Sequence, residues 1–490
     1  MKLYINEETF AYELENVARM FSRSLKVERL EALSEESEAA FEGDFCAARR
    51  EETGAASVLF AAARLAGRSA SDSLSLGPGA TVKETELALA RLLYGVLSKL
   101  YGFKPEWGVI TGIRPAKFVS KMLENMSEAE VISSLCGKYY VSERKARLCV
   151  ETARSCAKLE KLNTPRSFSL YVSIPFCPTR CSYCSFVSKT VERDRALVEP
   201  YVEKLCGELA FCGEVVRSLG LRLESVYIGG GTPTTLEAGQ LERLCAAIAQ
   251  NFELESSREF SVEAGRPDTI TPEKLAVLKK AGVTRLSINP QTKSERVLHA
   301  IGRRHSAADI ERAFSEAREA GFDNINADLI AGLPLDTLEG FRASLDWVLG
   351  LEAENITVHA LTLKRASYLG EEGGQASSEA AASVSWANDL LPRRGYVPYY
   401  MYKQKGTADC LENTGYALPG RECLYNVYIM EEVHTILACG AGAVTKLVNQ
   451  KSGLISRVFN YKYPAEYIDG FEKLLERKKE MIEFYGDIQP

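Results

Sequence analysis

Between about residue 165 and residue 365 the chain repeats one pattern, an apolar run of strand length followed by an amphipathic stretch long enough to cross back over a sheet. The strands predicted from it are Phe168–Ile174, Glu224–Ile228, Glu259–Glu263, Thr284–Ile288, Asn324–Ile330 and Asn355–Leu361. Helices are predicted at about 196–219, 237–252, 272–281, 306–320 and 337–350. A helical crossover after each strand returns the chain to the same end of the sheet, so the strands should be parallel and the crossovers right-handed. Six such units fall short of a closed eight-stranded barrel. The expected fold class is therefore α/β, an incomplete (β/α)6 barrel over 165–365.

The flanks read differently. Residues 1–160 mix amphipathic helical stretches, Glu13–Phe21 and Glu84–Leu100, with apolar runs such as Ala56–Ala62, which suggests an accessory α/β domain. The acid-rich stretch Glu31–Asp44 reads as a solvated face. The segment from Trp107 to Lys117 has turn glycines and a proline beside two cations; it is either a capped helix start or a contact for an anion. Residues 366–490 open with Gly370, Gly373 and Gly374 and close on the helical Glu466–Phe484, as a mixed or helical C-terminal domain covering the barrel would. Within it, Gly395–Tyr402 is either a buried strand or an aromatic surface with Lys403 and Lys405 beside it.

Composition limits the classes open to the chain. Hydrophobic residues make up 46% and charged residues 26% of 490, the mix of a water-soluble globular protein. The net charge of −6 comes from interleaved acids and bases, so nucleic acid is not the default partner. The opening residues carry acids where a secretory leader needs an apolar run, and no uncharged run approaches the ~18 residues of a membrane span. A cytoplasmic location is expected. Thirteen cysteines in such a chain argue against a disulfide framework, and most read as small buried hydrophobes.

Three do not. Tyr171-Val-Ser-Ile-Pro-Phe-Cys177-Pro-Thr-Arg-Cys181-Ser-Tyr-Cys184 leaves the first predicted barrel strand and sets three thiols at C-x3-C-x2-C. Thiolates are the usual ligands of iron–sulfur clusters, and a 4Fe–4S cube held by three of them keeps one iron free for another ligand. Pro175 and Pro178 restrict the backbone where the chain must curve round such a group. The alternatives are buried thiols or a zinc site with a distant fourth ligand. Short-spaced zinc sites come as paired knuckles, and no second C-x2-C is present.

This loop resembles that of the radical S-adenosylmethionine (radical SAM) superfamily. The context Y-x-x-I-P-F-C-x-x-x-C-x-Y-C resembles the oxygen-independent coproporphyrinogen III oxidases (dehydrogenases). Trp107-Gly-Val-Ile-Thr-Gly-Ile-Arg-Pro and Gly420-Arg-Glu-Cys-Leu-Tyr-Asn-Val-Tyr-Ile-Met-Glu-Glu432 are similar to the HemZ-type branch.

The resemblance implies a 4Fe–4S cluster on Cys177, Cys181 and Cys184 and S-adenosylmethionine, one molecule on the cluster and a second beside it. It implies that Tyr171, Gly230 of the Gly229-Gly-Gly-Thr232 turn, and Glu263 meet the first molecule. Tyr183, Gly231, Thr232, Gln291, Arg303 and Asp328 correspond to positions around the second. The stretch Ala438-Cys-Gly-Ala-Gly-Ala443 resembles the family's turn on the adenosine side.

The activity implied is an oxidoreductase of haem biosynthesis. A low-potential donor such as flavodoxin or ferredoxin reduces the cluster, and the resulting 5′-deoxyadenosyl radical removes a hydrogen from a propionate. Loss of carbon dioxide then leaves a vinyl group, and two rounds turn coproporphyrinogen III into protoporphyrinogen IX. The substrate carboxylates need cations, for which Arg303, Arg304, Lys364, Arg365, Arg114 and Lys117 are candidates.

Two positions depart from the dehydrogenase pattern. Ser173 stands where the family often has histidine, and Phe186 stands where the dehydrogenases carry a further cysteine. Phenylalanine there resembles the haem-chaperone branch. A haem-binding or haem-delivery chaperone, or a radical enzyme acting on another tetrapyrrole, are therefore the alternatives. The four histidines, His299, His305, His359 and His434, are too dispersed for a metal site and read as core or helix-surface residues.

Overall fold

Thr81 and Glu84 close a capping box ahead of the helix Val82–Tyr101, whose first-turn N–H groups would otherwise lack acceptors. Its apolar face, with Leu89, Leu93 and Leu97, is buried in one core with Leu3, Ile5 and Leu59. Those three belong to a five-stranded sheet ordered β2-β1-β3-β4-β5: β1 Lys2–Ile5, β2 Lys26–Arg29, β3 Phe45–Thr53, β4 Ala56–Leu65 and β5 Arg68–Leu76. β1 runs parallel to β2 and β3, while β3–β4–β5 form an antiparallel meander. The computed structural model describes residues 1–22, 25–29, 41–53, 56–186, 189–363, 367–371, 377–404, 407 and 410–486. Lys364, Arg365, Gly373, Gly374, Lys405 and most of the acid-rich stretch lie outside the described residues.

The chain divides into two units, residues 1–150 with 403–411, and residues 151–402 with 412–490. In the first, the segment from Trp107 is a buried turn leading into the helix Pro115–Leu123, with proline at its first position. Trp107 is 2% exposed, and Lys403 donates from Nζ to Ile110 O at 2.7 Å and from its backbone N–H to Ile113 O at 2.8 Å. These contacts fill the segment's carbonyls from within the protein.

In the second unit every predicted barrel strand is present. They are β6 Ser167–Ile174, β9 Arg222–Gly230, β10 Glu259–Glu263, β11 Arg285–Ser287, β12 Ile325–Ala331 and β13 Asn355–Ala360. Between β6 and β9 lies a minimal pair, β7 Phe176–Cys177 and β8 Lys189–Thr190. The six barrel strands pair in parallel in that order. Helices Val198–Ser218, Ala238–Asn251, Pro272–Lys280, Ala307–Glu319 and Leu338–Gly350 link them as expected. The short helix Glu295–Ala300 is additional.

The arc does not end at β13. Residues 366–490, expected as a covering domain of their own, lend five strands to the same sheet: β14 Val397–Lys403, β15 Glu412–Ala417, β16 Thr435–Cys439, β17 Val444–Val448 and β18 Ile455–Phe459. β15 adds antiparallel to β13 at one edge; β16 adds parallel to β6 at the other. An open arc leaves two rows of unpaired N–H and C=O groups, and these later strands satisfy both. The helical close is three helices, Pro464–Asp469, Phe471–Lys478 and Glu480–Gly486. Among the described residues no helix is long and apolar enough to cross a membrane.

Candidate active site

β6 delivers the chain to the C-terminal mouth of the barrel, where Pro175 turns it into the cysteine loop. Two strands hold the loop's base: Gly231 N–H donates to Ile174 O at 2.8 Å and Thr232 N–H to Phe176 O at 2.7 Å. The Thr232 hydroxyl lies 3.6 Å from Cys177 Sγ. The far side of the loop hangs on the turn after helix Glu295–Ala300, with Ser182 N–H on Ile301 O at 3.0 Å and the Thr179 hydroxyl on Gly302 O at 3.1 Å.

A Cβ on Gly231 would lie 2.5 Å from Phe176 O and 2.9 Å from Cys177 Sγ. Its predecessor Gly230 has φ +107°, a conformation closed to side chains. The glycine turn thus packs directly against the loop backbone and the first sulfur, where any side chain would collide.

Cys181 is 9% exposed, and Cys177 and Cys184 are half-buried. Burial pushes the Cys184 thiol up to about 11, and the neighbouring Cys181 and Cys177 add to the rise. Only metal coordination would ionise such a group at neutral pH. One tetrahedral zinc ion would draw its sulfurs to about 3.8 Å from one another, given Zn–S bonds of about 2.3 Å. Among the described residues the one group of potential ligand atoms lying within 4.8 Å of each other is Glu208, Cys212 and Cys439, outside the loop. The loop sulfurs are spread more widely than that. Three thiols spread this widely fit a cube better than a single ion.

Next to the glycine turn the lumen is aromatic and acidic. The rings of Tyr171, Tyr227 and Tyr425 cluster nearly parallel to one another, Tyr425 lying 5.8 Å from Tyr171 and 4.4 Å from Tyr227, and Tyr171 6.2 Å from Tyr227. The Tyr227 hydroxyl donates to Glu263 Oε1 at 2.6 Å. Burial raises Glu263 to about 7 despite that bond, and the charge of Asp328 adds to the rise. Asp328 behaves oppositely. Burial disfavours its charge too, but His359 and the Asn326 amide outweigh burial and hold it below the usual carboxylate range. Asn326 Nδ2 is 2.7 Å from Asp328 Oδ1, and His359 Nε2 is 3.7 Å from Oδ2.

The remaining expected residues meet on the same mouth. Gln291 is left-handed at φ +67°, held there because its N–H donates to Asp328 O at 2.9 Å and its carbonyl accepts from Ile330 N–H at 3.0 Å. Its side-chain oxygen is buried without a partner, as is that of Asn289. Arg303 is 7% exposed, donates to Asn289 O at 2.5 Å and reaches Cys181 and Tyr183. Tyr183 packs on Leu298, Ile301 and Leu361.

Behind β6 lies a polar core that the sequence did not announce. Glu208 accepts from Gly440 N–H and Asn460 Nδ2 at 2.8 Å each and from the Tyr467 hydroxyl at 2.7 Å, and pairs with Lys478 Nζ at 3.2 Å. The Tyr201 hydroxyl joins it to the loop's approach, donating to Ser173 O at 2.7 Å and accepting from Ala441 N–H at 2.8 Å. The cation held beside Glu208, Cys212 and Cys439 is the protein's own ammonium. Single acids and lysines in helices carry no pattern that would have singled these out. His359 was also read as structural, yet its place at the end of the last barrel strand matches that of Glu263 and Asp328 on theirs. Ser173 and Phe186 differ in environment: Ser173 is 6% exposed and bonds Ala441 O at 2.9 Å, whereas Phe186 is 65% exposed.

Comparison with known proteins gives concordant matches. Residues 171–348 match the radical SAM superfamily. Over 416 residues, 82% of each chain, the sequence is 37% identical to the oxygen-independent coproporphyrinogen-III oxidase-like protein HemZ of Bacillus subtilis. The haem chaperone HemW of the same organism is 39% identical over 197 residues, 40% of this chain and 51% of that one. The solved coproporphyrinogen III oxidase HemN of Escherichia coli, a radical SAM enzyme, superposes with a TM-score of 0.51 at 23% identity, covering 66% of this chain and 72% of that one.

Proposed function

Because this chain belongs to the oxygen-independent coproporphyrinogen III oxidase-like family of the radical SAM superfamily, we propose that it oxidatively decarboxylates the propionates of coproporphyrinogen III to give protoporphyrinogen IX. The observation that carries the reading is the three-cysteine loop at the barrel mouth, its first sulfur packed against the side-chain-free turn at Gly231. Cys177, Cys181 and Cys184 would hold a 4Fe–4S cluster. With S-adenosylmethionine bound, that cluster supplies one-electron cleavage of the sulfonium and hence a strong abstractor of hydrogen atoms.

The chain's own residues bind and exclude. Gly230 and Glu263 receive the polar end of the cofactor on the cluster, and the ring of Tyr171 walls it. Glu263 shares its oxygen with the Tyr227 hydroxyl, so a ligand ammonium there would favour the ionised carboxylate over the neutral acid. Gly231, Thr232, Tyr183, Gln291, Arg303 and Asp328 line the neighbouring space for a second S-adenosylmethionine. The side-chain oxygens of Gln291 and Asn289, without a partner among the described residues, supply acceptors for it. A low-potential flavodoxin or ferredoxin would serve as the electron donor.

A second reading has its own support. Phe186 stands exposed two residues after Cys184, and the HemW chaperones are among the relatives. Under it the protein binds and delivers haem without turning a substrate over. One anaerobic experiment decides: protein reconstituted with iron and sulfide is incubated with reductant, S-adenosylmethionine and coproporphyrinogen III. Carbon dioxide released in step with 5′-deoxyadenosine supports the decarboxylase; haem binding with no carbon dioxide supports the chaperone.

A further inference from the structure

The inner face of the barrel is polar along one continuous path. Asn326 donates to Ser287 Oγ at 2.7 Å and accepts from Thr357 Oγ1 at 3.1 Å, and Thr357 in turn lies 3.4 Å from the Tyr400 hydroxyl. The path therefore crosses β11, β12, β13 and β14. Side chains two apart share a face of a strand, so Asp328 continues from Asn326, His359 from Thr357, and Tyr402 from Tyr400, each one step nearer the mouth. The Tyr400 and Tyr402 rings are nearly parallel, 6.4 Å apart at 12°. Gly415 on β15 makes room for them, since a Cβ there would overlap the Tyr400 ring.

His359 is the imidazole at the head of this path. Its Nε2 faces Asp328 Oδ2 at 3.7 Å, with 26% of the His359 side chain and 19% of the Asp328 side chain exposed. Asp328 is otherwise held by Asn326, and Glu263, Arg285, Tyr400 and Tyr402 are the further titratable groups within electrostatic reach of it. None of the described residues bonds the second nitrogen; between Asp328 on Nε2 and a ligand carboxylate on Nδ1 the ring would be the imidazolium, donating from both nitrogens. Two other cations of the mouth are engaged: Arg303 on Asn289 O, and Arg266 on Asp268 through two bonds of 2.9 Å. An imidazole backed by a carboxylate and flanked by parallel phenol rings suits the edge of a flat, carboxylate-bearing ring system.

We infer that His359 is a specificity-determining contact of the barrel mouth, receiving one propionate carboxylate of the tetrapyrrole on Nδ1 while Asp328 holds Nε2. The inference rests on the tetrapyrrole reading above. The test uses the anaerobically reconstituted holoprotein and coproporphyrin III, the oxidised form that is not turned over, with binding followed by porphyrin fluorescence. His359→Gln, which keeps a hydrogen bond but loses the charge, is expected to weaken binding about tenfold. His359→Lys, which restores a cation, should stay within about threefold of the unmodified protein. His299→Gln, on the exposed face of helix Glu295–Ala300, should bind as the unmodified protein does. Unchanged affinity in His359→Gln, or equal losses in the Gln and Lys variants, overturns the assignment while leaving the substrate reading in place. An unmodified holoprotein that does not bind the porphyrin overturns both.

Discussion

Lys478 Nζ stands 3.2 Å from Glu208 Oε1, and neither side chain reaches solvent. The ammonium also donates to Ala438 O and Thr445 Oγ1, so one lysine ties a late helix to β16, β17 and the carboxylate behind the cysteine loop. Removing one member of a buried pair strands the other's charge. Lys478→Met is expected to lower stability by about 3–5 kcal/mol, read by urea unfolding under argon, with cluster loading falling in parallel. A variant as stable as the parent would show the pair to be dispensable.

Gly231→Ala tests the close packing of the glycine turn on the cysteine loop. Its new methyl group would sit 2.5 Å from Phe176 O and 2.9 Å from the Cys177 sulfur, in a loop base pinned by two hydrogen bonds. Iron and acid-labile sulfide per chain should drop severalfold, with far-ultraviolet circular dichroism unchanged. Full iron content in this variant would refute a role for that packing in holding the first cluster ligand.

Cysteine replacements should sort sharply by position. Alanine at Cys177, Cys181 or Cys184 is expected to abolish the brown absorbance of reconstituted protein. Serine at Cys212 or Cys439 should retain it, because those thiols sit in the Lys478 core instead.

Glu263 makes stability depend on pH. Its folded-state value of about 7 lies above the 4.5 of a free glutamate, so it contributes stability that is whole below pH 4.5 and lost as pH rises through 7. The loss amounts to roughly 3 kcal/mol from this group, at 1.36 kcal/mol per unit. Denaturant midpoints of the cluster-free protein at pH 5.5 and 8.5 should show the drop, and Glu263→Gln should flatten it. In the same variant S-adenosylmethionine should bind more weakly at pH 8, where the parent carboxylate is ionised. A parent protein with a flat profile would contradict the shift.

The barrel was legible because each of its strands is followed by its own crossover helix, so a local pattern carries the topology. The edges were not. β15 and β16 pair with strands on opposite sides of the arc, and nothing in their sequences names a partner so far away. The cysteines declared themselves by spacing. Gln291 and Asp328 were placed by resemblance, but what joins them is a main-chain bridge that depends on a left-handed glutamine. His359 was passed over since a lone histidine has no period, and its meaning comes from the register that sets it beside Asp328.

The pairing of β6 with β16 also orders events in time. β6 leads straight into the cysteine loop, yet its outer neighbour is translated much later, as the 265 residues between Ser169 and its bonded partner His434 show. A nascent chain therefore exposes one side of that strand on the ribosome until nearly the whole barrel has emerged. The strand that carries the cysteine loop thus gains its outer support only late in synthesis, long after the loop itself has been made.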